Sequence, residues 1–515
     1  MVRLGQLFIS NCRKLIFNDV HVRKAACCSM CKRYKSDTGK PVEPPEPEHP
    51  VFKTIRILKN DLKRVKSVFS SEEQEQDDSS EQKFLSSHCD VLVIGGGAVG
   101  SSIAYWLKQR APQGLHVVVV EKDPSVISNS SNQYSCASTV LSVGGLRQQF
   151  SLKENIEMSL FGAQFIRNIK RHLSVEGADP PDVQFVPNGY LFLATEDGAE
   201  QLQKNADFQW SLGVKNELLS PNKLKQKFPW INTEGVALGC HGLENEGWLD
   251  PWALLHAFKR KAISLGTEYI DAEAVGFEFK EMRDMFISGV EPGSYEAVDK
   301  LLVRTQTGEI HSIKFGIAVI AAGAFSTDVA KMARIGSGPG FLSIPLPVEP
   351  RKRYVYCFHC PDGPGLNMPF VIDSTGIWCR REGLGGRYIA GRCPKPEEEP
   401  SVENLDVDYD FFDKNIWPVL ASRVPAFESI KVRSAWSGYY EYNTFDQNGI
   451  VGPHPYYHNL YIATGFSGHG FQQSPAVGRA VMEMILDGGF ETIDLTRLGF
   501  DRLITNERML EQNIW

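Results

Sequence analysis

The sequence predicts an α/β fold built around a nucleotide-binding unit, and three stretches carry the prediction. "CDVLVIGGGAVGSSIAYWLKQR" sets a short β-branched run, Val91 to Ile94, before Gly95, Gly97 and Gly100, and then a helical pattern from Ala98 to Arg110. "HVVVVE" reads as a second buried strand and ends on Glu121, 21 residues after Gly100. "GFSGHGFQQSP", from Gly465 to Pro475, is a second glycine-rich loop close to the end of the chain.

The 515 residues are enough for two or three domains, and 42% hydrophobic content gives ample core. A formal charge of −7 gives no reason to expect nucleic acid as a partner. No run of eighteen apolar residues occurs; the most apolar segment, Val91 to Leu107, is broken by glycines and serines and belongs to the nucleotide unit. Residues 1–36 are basic and hydrophobic, with Asp19 the single acid, which reads either as a mitochondrial presequence or as a basic terminus without an address. Residues 37–88 form a linker of proline, glutamate and serine around a candidate helix, 52–69. Its apolar positions Phe52, Ile55, Leu58, Leu62, Val65 and Phe69 are flanked by lysines and arginines. Such a helix suits peripheral contact with an anionic membrane or a partner, and equally suits packing on its own domain with a solvated basic face.

In the nucleotide unit the first glycine permits a tight turn, the second lets backbone approach a pyrophosphate, and the third lets helix and strand pack closely. Ala98 and Val99 open the helix, whose amino end attracts the anion, and Glu121 is spaced to accept from a ribose hydroxyl. "STVLSVGGLRQQF" then brings Ser138, Thr139, Gly144, Gly145 and Arg147, and "FGIAVIAAGAFS" is an apolar strand entering a turn at Ala322 and Gly323. "CFHC", Cys357 to Cys360, lies in a strand pattern where positions three apart face opposite sides, which argues against chelation; no metal is expected. In the late loop Gly465, Ser467, Gly468, His469, Gly470 and Phe471 precede a helix that Ser474 can cap, with Pro475 in its first turn. Alone, the loop could be a structural turn; beside the upstream motifs it reads as a cofactor contact.

These pieces, in this order, resemble the FAD-dependent amine and amino-acid oxidoreductases, the family of D-amino-acid oxidase, sarcosine oxidase and dimethylglycine dehydrogenase. The resemblance implies a Rossmann-like FAD-binding domain (89–180, 240–342 and 440–500) interleaved with a mixed-sheet, α+β substrate domain (181–239 and 343–439) and followed by a tail, 501–515. It places the late loop against the flavin. "FPWINTEGVAL", "EGWLDPW", "LPVEPRKRYVY" and "SRVPAFESIKVRSAWSGYYEYNTFDQNG" are similar to a mitochondrial branch of this family implicated in assembly of respiratory complex I. That similarity implies complex I subunits or assembly intermediates as partners, and a place on the matrix side of the mitochondrion in association with the inner membrane.

Relatives of sarcosine oxidase type carry a lysine where Gln472 stands, and a lysine and histidine where "RYIAGRCP" offers Ile389 and Cys393. Covalent attachment of flavin in relatives uses positions corresponding to Tyr439 and Leu141, so the FAD should be noncovalent. Arg147 matches an arginine that binds substrate carboxylate, although a surface or flavin-phosphate arginine fits the residue as well. Arg381 and Arg392 are weaker candidates, Tyr439, Tyr440 and Tyr442 could wall the pocket, and His469 suits a flavin neighbour better than a general base. Arg147, Gln472 and Tyr439 are therefore the candidate catalytic positions. Two functions follow: a flavoprotein serving complex I assembly, or a dehydrogenase or oxidase of a small amine or amino acid.

Overall fold

The computed structural model describes residues 86–123, 125, 137–285 and 290–512. The presequence expected at 1–36 and the basic helix expected at 52–69 lie outside the described residues.

Two large sheets hold the fold. The first contains β1 (His88–Ile94), β2 (Val117–Glu121), β8 (Glu268–Glu281), β9 (Glu296–Thr305), β10 (Ile310–Ile320), β16 (Ile450–Pro453) and β17 (Leu460–Thr464). β1 runs parallel between β2 and β10, with Val93 opposite both Val119 and Val319. All of these valines are fully buried, as a parallel strand covered on both faces requires. β8 continues parallel to β2 and then pairs antiparallel with β9, which pairs back to β10. Helices α1 (Ala98–Arg110), α2 (Lys153–Arg167), α3 (Pro251–Ser264) and α4 (Gly470–Leu486) complete this half, and residues of all four share one core with β1 and β2.

The second sheet is mixed. It runs β15 (Lys431–Asn443), β11 (Val348–His359), β14 (Arg387–Arg392), β13 (Ile377–Glu382), β12 (Phe370–Ile372), β4 (Tyr190–Ala194), β6 (Leu238–Gly242) and β5 (Asn216–Leu219). Only the β12–β4 pair is parallel. The two-stranded β3 (Gly145–Leu146) and β7 (Gly247–Trp248) join beside it. The expected boundary at 240 cuts β6, and the one at 440 cuts β15; both strands lie wholly in the second sheet.

The helix after the late loop differs from expectation. It begins at Gly470, so Ser474 and Pro475 sit inside it. Proline lacks the N–H that would reach the carbonyl of Phe471. The Ser474 hydroxyl takes that place, donating to the Phe471 carbonyl at 2.9 Å. Ser474 therefore patches the helix at the proline instead of capping its end.

Candidate functional site

A cavity of about 660 Å³ lies between the two sheets, within the usual size of a ligand site. Its nucleotide end is built by the first βαβ unit. Gly95 (φ +109°) turns the chain where a Cβ would meet the Ala321 carbonyl at 2.3 Å. Gly97 faces the cavity, and a Cβ there would have only the Thr139 hydroxyl close by, at 3.2 Å. A Cβ on Gly100 would strike the Gly95 carbonyl at 1.9 Å, so this glycine sets how closely helix and loop approach. The Thr139 hydroxyl accepts from the Ala98 N–H at 3.1 Å and closes one orphan donor of α1. Glu121 accepts from the Gly96 and Asp123 N–H groups at 2.7 and 2.8 Å, and burial raises its pKa.

Most residues expected at the cofactor border this cavity: Gly95, Gly97, Ala98, Val99, Glu121, Ser138, Thr139, Gly145, Ala322, Gly323, Gly468, His469, Gly470 and Phe471, along with Arg147, Tyr439 and Gln472. Gly100, Gly144, Gly465 and Ser467 stand behind it. Gly144 lets the chain pass the Leu249 carbonyl, which a Cβ would meet at 1.9 Å. Gly465 and Ser467 tie the late loop to β15: the Gly465 N–H donates to the Glu441 carboxyl at 3.1 Å and the Ser467 N–H to the Glu441 carbonyl at 3.0 Å.

Arg147 is buried between the rings of Phe150 and Phe192, with its guanidinium carbon 4.7 and 5.1 Å from their centroids. One of its terminal nitrogens donates to His469 Nε2 at 2.9 Å. Among the described residues no carboxylate forms an ion pair with it, and desolvation lowers its pKa. Burial and the Arg147 charge together push His469 down to about 3, so its imidazole is neutral and its Nε2 lone pair is occupied. Gln472 spends its side-chain carbonyl on the Arg147 backbone N–H, at 2.7 Å. It holds the arginine's backbone and is no substitute for a cation. The Tyr439 hydroxyl donates to the Val402 carbonyl at 3.0 Å while its ring leans on Phe325. The outer wall near Arg147 is aromatic, with Tyr190 stacked on Phe370 (4.3 Å) and Trp378 tilted against Phe370 (5.7 Å).

Of the weaker candidates, Arg392 borders the cavity but is ion-paired with Glu398, and Arg381 is held by the Pro364 and Leu384 carbonyls away from it. Cys393 lines the cavity as a free thiol, whereas Ile389 is fully buried in the strand. Tyr440 borders the cavity and donates to the Ser467 carbonyl. Sequence reasoning passed over two carboxyl groups. Glu441 lines the cavity, and burial raises its pKa to about 7. Glu246 is also raised to about 7; it accepts from the Gln148 N–H (2.8 Å), Gln149 Nε2 (2.9 Å) and the Tyr190 N–H (3.2 Å). It thereby clasps the segments that carry Arg147 and the aromatic wall.

A parallel βαβ unit with an acid at the ribose position, a cavity closed by a second mixed sheet, and a buried arginine on its lining define a dinucleotide-dependent oxidoreductase. The chain belongs to the FAD-dependent oxidoreductase family, whose model matches residues 90–484. It is 54% identical over 430 residues to FAD-dependent oxidoreductase domain-containing protein 1 of Xenopus laevis, covering 82% of this chain and 84% of that one. L-proline dehydrogenase from P. horikoshii superposes with a TM-score of 0.66 at 26% identity, over 82% of this chain and all (100%) of that one. Glycine oxidase from Geobacillus kaustophilus shares the fold, with a TM-score of 0.63 at 20% identity, over 80% and 98% of the two chains. The residues fit FAD: Gly97 leaves the helix amino end open to the cavity, and Glu121 stands at its edge. At the two attachment positions the cavity meets the alkyl chain of Leu141 and the phenol of Tyr439, neither of them a cysteine or histidine.

Proposed function

We propose that this flavoprotein oxidises a small amine that carries a carboxylate, as a dehydrogenase or oxidase. The observation that carries the reading is Arg147: a buried guanidinium beside the late loop, lining the cavity, with no ion-paired carboxylate among the described residues. A cation in that setting lowers its desolvation cost by accepting an anion from the ligand, and its planar fork suits a carboxylate. L-proline, named in the solved relative, joins an amine and a carboxylate in the same way. Bound FAD supplies the hydride acceptor. The chain supplies position: Gln472 fixes the Arg147 backbone, His469 orients its fork, and the Tyr190–Phe370–Trp378 wall excludes water from the carbon to be oxidised. No side chain near Arg147 is arranged as a strong base, so the substrate amine must bind neutral. The test is anaerobic bleaching of the flavin band by paired amines with and without a carboxylate. Bleaching confined to the carboxylates supports the reading; equal bleaching by both sets defeats it.

A second reading keeps the flavin fold and places its role in complex I assembly on the matrix side of the mitochondrion, at the inner membrane, with complex I subunits or intermediates as partners. The sequence resemblance motivates it. Gln472 favours it, because the position of the relatives' second cation is occupied by an amide already engaged with backbone. Rescue of complex I in deficient cells by an FAD-replete Arg147→Ala protein separates the readings. Full rescue supports a role independent of amine oxidation, and failed rescue at normal abundance supports turnover as the requirement.

A further inference from the structure

Glu441 sits where β15 passes beneath the late loop. Its Oε2 lies 3.1 Å from the Gly465 N–H and 3.0 Å from the Thr464 hydroxyl, and the carboxyl borders the cavity. It also touches the start of α4: a Cβ on Gly470 would meet its Oε1 at 2.7 Å. The Thr464 hydroxyl has three partners. The Ser326 hydroxyl donates to it at 2.8 Å, and Thr464 lies within reach of both the Gly323 carbonyl (3.1 Å) and Glu441 (3.0 Å). A hydroxyl has one proton to give. If Glu441 is ionised, Thr464 must donate to the carboxylate, and the Gly323 carbonyl keeps only the Ser326 N–H. If Glu441 is protonated, it donates to Thr464, Thr464 donates to Gly323, and every partner is satisfied. Gly323 itself lines the cavity, so the proton on Glu441 is wired to the turn that faces the cofactor.

We propose that Glu441 is a proton-binding residue of the flavin site, which takes up a proton when the flavin is reduced. The inference rests on FAD occupying this cavity and is independent of which amine, if any, is oxidised. Reduction places two electrons on the flavin and adds negative charge to the site. With one proton taken up by the flavin itself, a single added negative charge remains, and one further proton from solvent moving onto the Glu441 carboxylate balances it. Among the described residues of the late loop, β15, β11, the turn 321–325 and the start of α4, no other side chain that faces Glu441 is a ready proton acceptor. On the late loop, the His469 Nε2 lone pair is taken by Arg147. On β15, Tyr440 is neutral and donates to Ser467. On β11, Pro350 stands opposite Glu441, and its neighbours Glu349 and Arg351 are paired with each other. The turn 321–325 and the first residues of α4 hold no titratable side chain. Burial agrees with the wiring, since it already holds Glu441 near neutrality, where uptake and release are both accessible.

The test uses the FAD-loaded full chain, reduced with dithionite, and the flavin midpoint potential read between about pH 6 and about pH 9, across the neutral range in which a raised carboxyl titrates. Wild type should show a steeper fall with pH above about 7 than Glu441→Gln, whose amide cannot take the proton. Parallel lines for the two proteins overturn the proposal. Should Glu441→Gln fail to retain FAD, the wild type decides the matter by reduced-minus-oxidised infrared spectra. A carboxylic acid C=O band that grows on reduction and shifts in D2O supports proton uptake by a carboxyl group. Its absence overturns it. Wild-type protein that folds without binding FAD would instead strike at the flavin site as a whole.

Discussion

A buried cation with no ion-paired carboxylate among the described residues weakens a fold and has to be explained by what it binds. Arg147 is that residue, and its two effects can be measured separately. Arg147→Met removes the charge and keeps much of the volume between Phe150 and Phe192. The melting temperature should hold or rise, because an unpaired desolvated charge is lost. Turnover of a carboxylate amine should fall about tenfold to a hundredfold, the worth of a charged hydrogen bond of about 1.5–3 kcal/mol. A large loss of stability would mean that Arg147 is a structural residue and not an anchor. Glu246 permits a prediction in pH. Its folded pKa, about 7, lies above the usual carboxylate value of 4.5, so folding favours the protonated form. The destabilisation is absent below about pH 4.5, grows as pH rises, and is complete above about pH 7. Glu246→Gln should melt with a smaller drop between mildly acidic and alkaline buffer than wild type does; identical drops would sink the assignment. Arg147 and Gln472 were legible in sequence because they stand in a recognisable loop order. Glu246 and Glu441 were not. A carboxylate acquires its unusual protonation from the burial that distant strands impose, and nothing beside it in the chain records that.

At the scale of elements the parallel unit was readable to within a few residues. Its β-branched runs, glycines and helical period all arise from local geometry. The late helix was read with the wrong start, since Ser-Pro is a common opening and the sequence cannot show that Ser474 substitutes for a missing N–H inside the helix. Ser474→Ala leaves the buried Phe471 carbonyl without that donor and should cost on the order of 1–3 kcal/mol, read as a lowered melting temperature. The same helix crosses α1 at Gly478, where a Cβ would meet Ser102 Oγ at 2.2 Å, and the Trp106 indole N–H binds the Pro475 carbonyl at 2.9 Å. Gly478→Val should force the two helices apart, lowering stability by about 1–3 kcal/mol and loosening FAD, since both helices present their amino ends to the cavity. A variant with unchanged melting and FAD retention would show that the crossing has room to yield.

At the scale of the whole molecule, the last residues are more than a tail. Residues 501–512 are stitched across the nucleotide half. Arg502 is buried and pairs with Asp446 through two nitrogens at 2.8 and 3.1 Å, and the Met509 carbonyl accepts from Asn448 Nδ2. Glu511 then accepts from the Ser151 N–H (2.6 Å), the Leu152 N–H (3.2 Å) and Asn155 Nδ2 (2.6 Å). Its carboxylate thus closes the amino end of α2, the favourable end for a negative charge. The contact continues inward: Asn155 accepts from Gln473 Nε2 at 3.0 Å, and the neighbouring Gln472 holds the Arg147 backbone. A carboxylate near the end of the chain is therefore connected to the substrate anchor through Asn155 and the first turn of α4. Glu511→Ala should lower the melting temperature by an amount equivalent to about 1–3 kcal/mol, because it strips partly buried donors of their acceptor. It should also raise KM for a carboxylate substrate more than it lowers kcat, because Arg147 is displaced and the flavin is not. Glu511→Gln, which keeps an acceptor oxygen, should recover part of both losses. If Glu511→Ala destabilises the protein with KM unchanged, the tail is a clasp for α2 alone and the path to Arg147 carries no coupling.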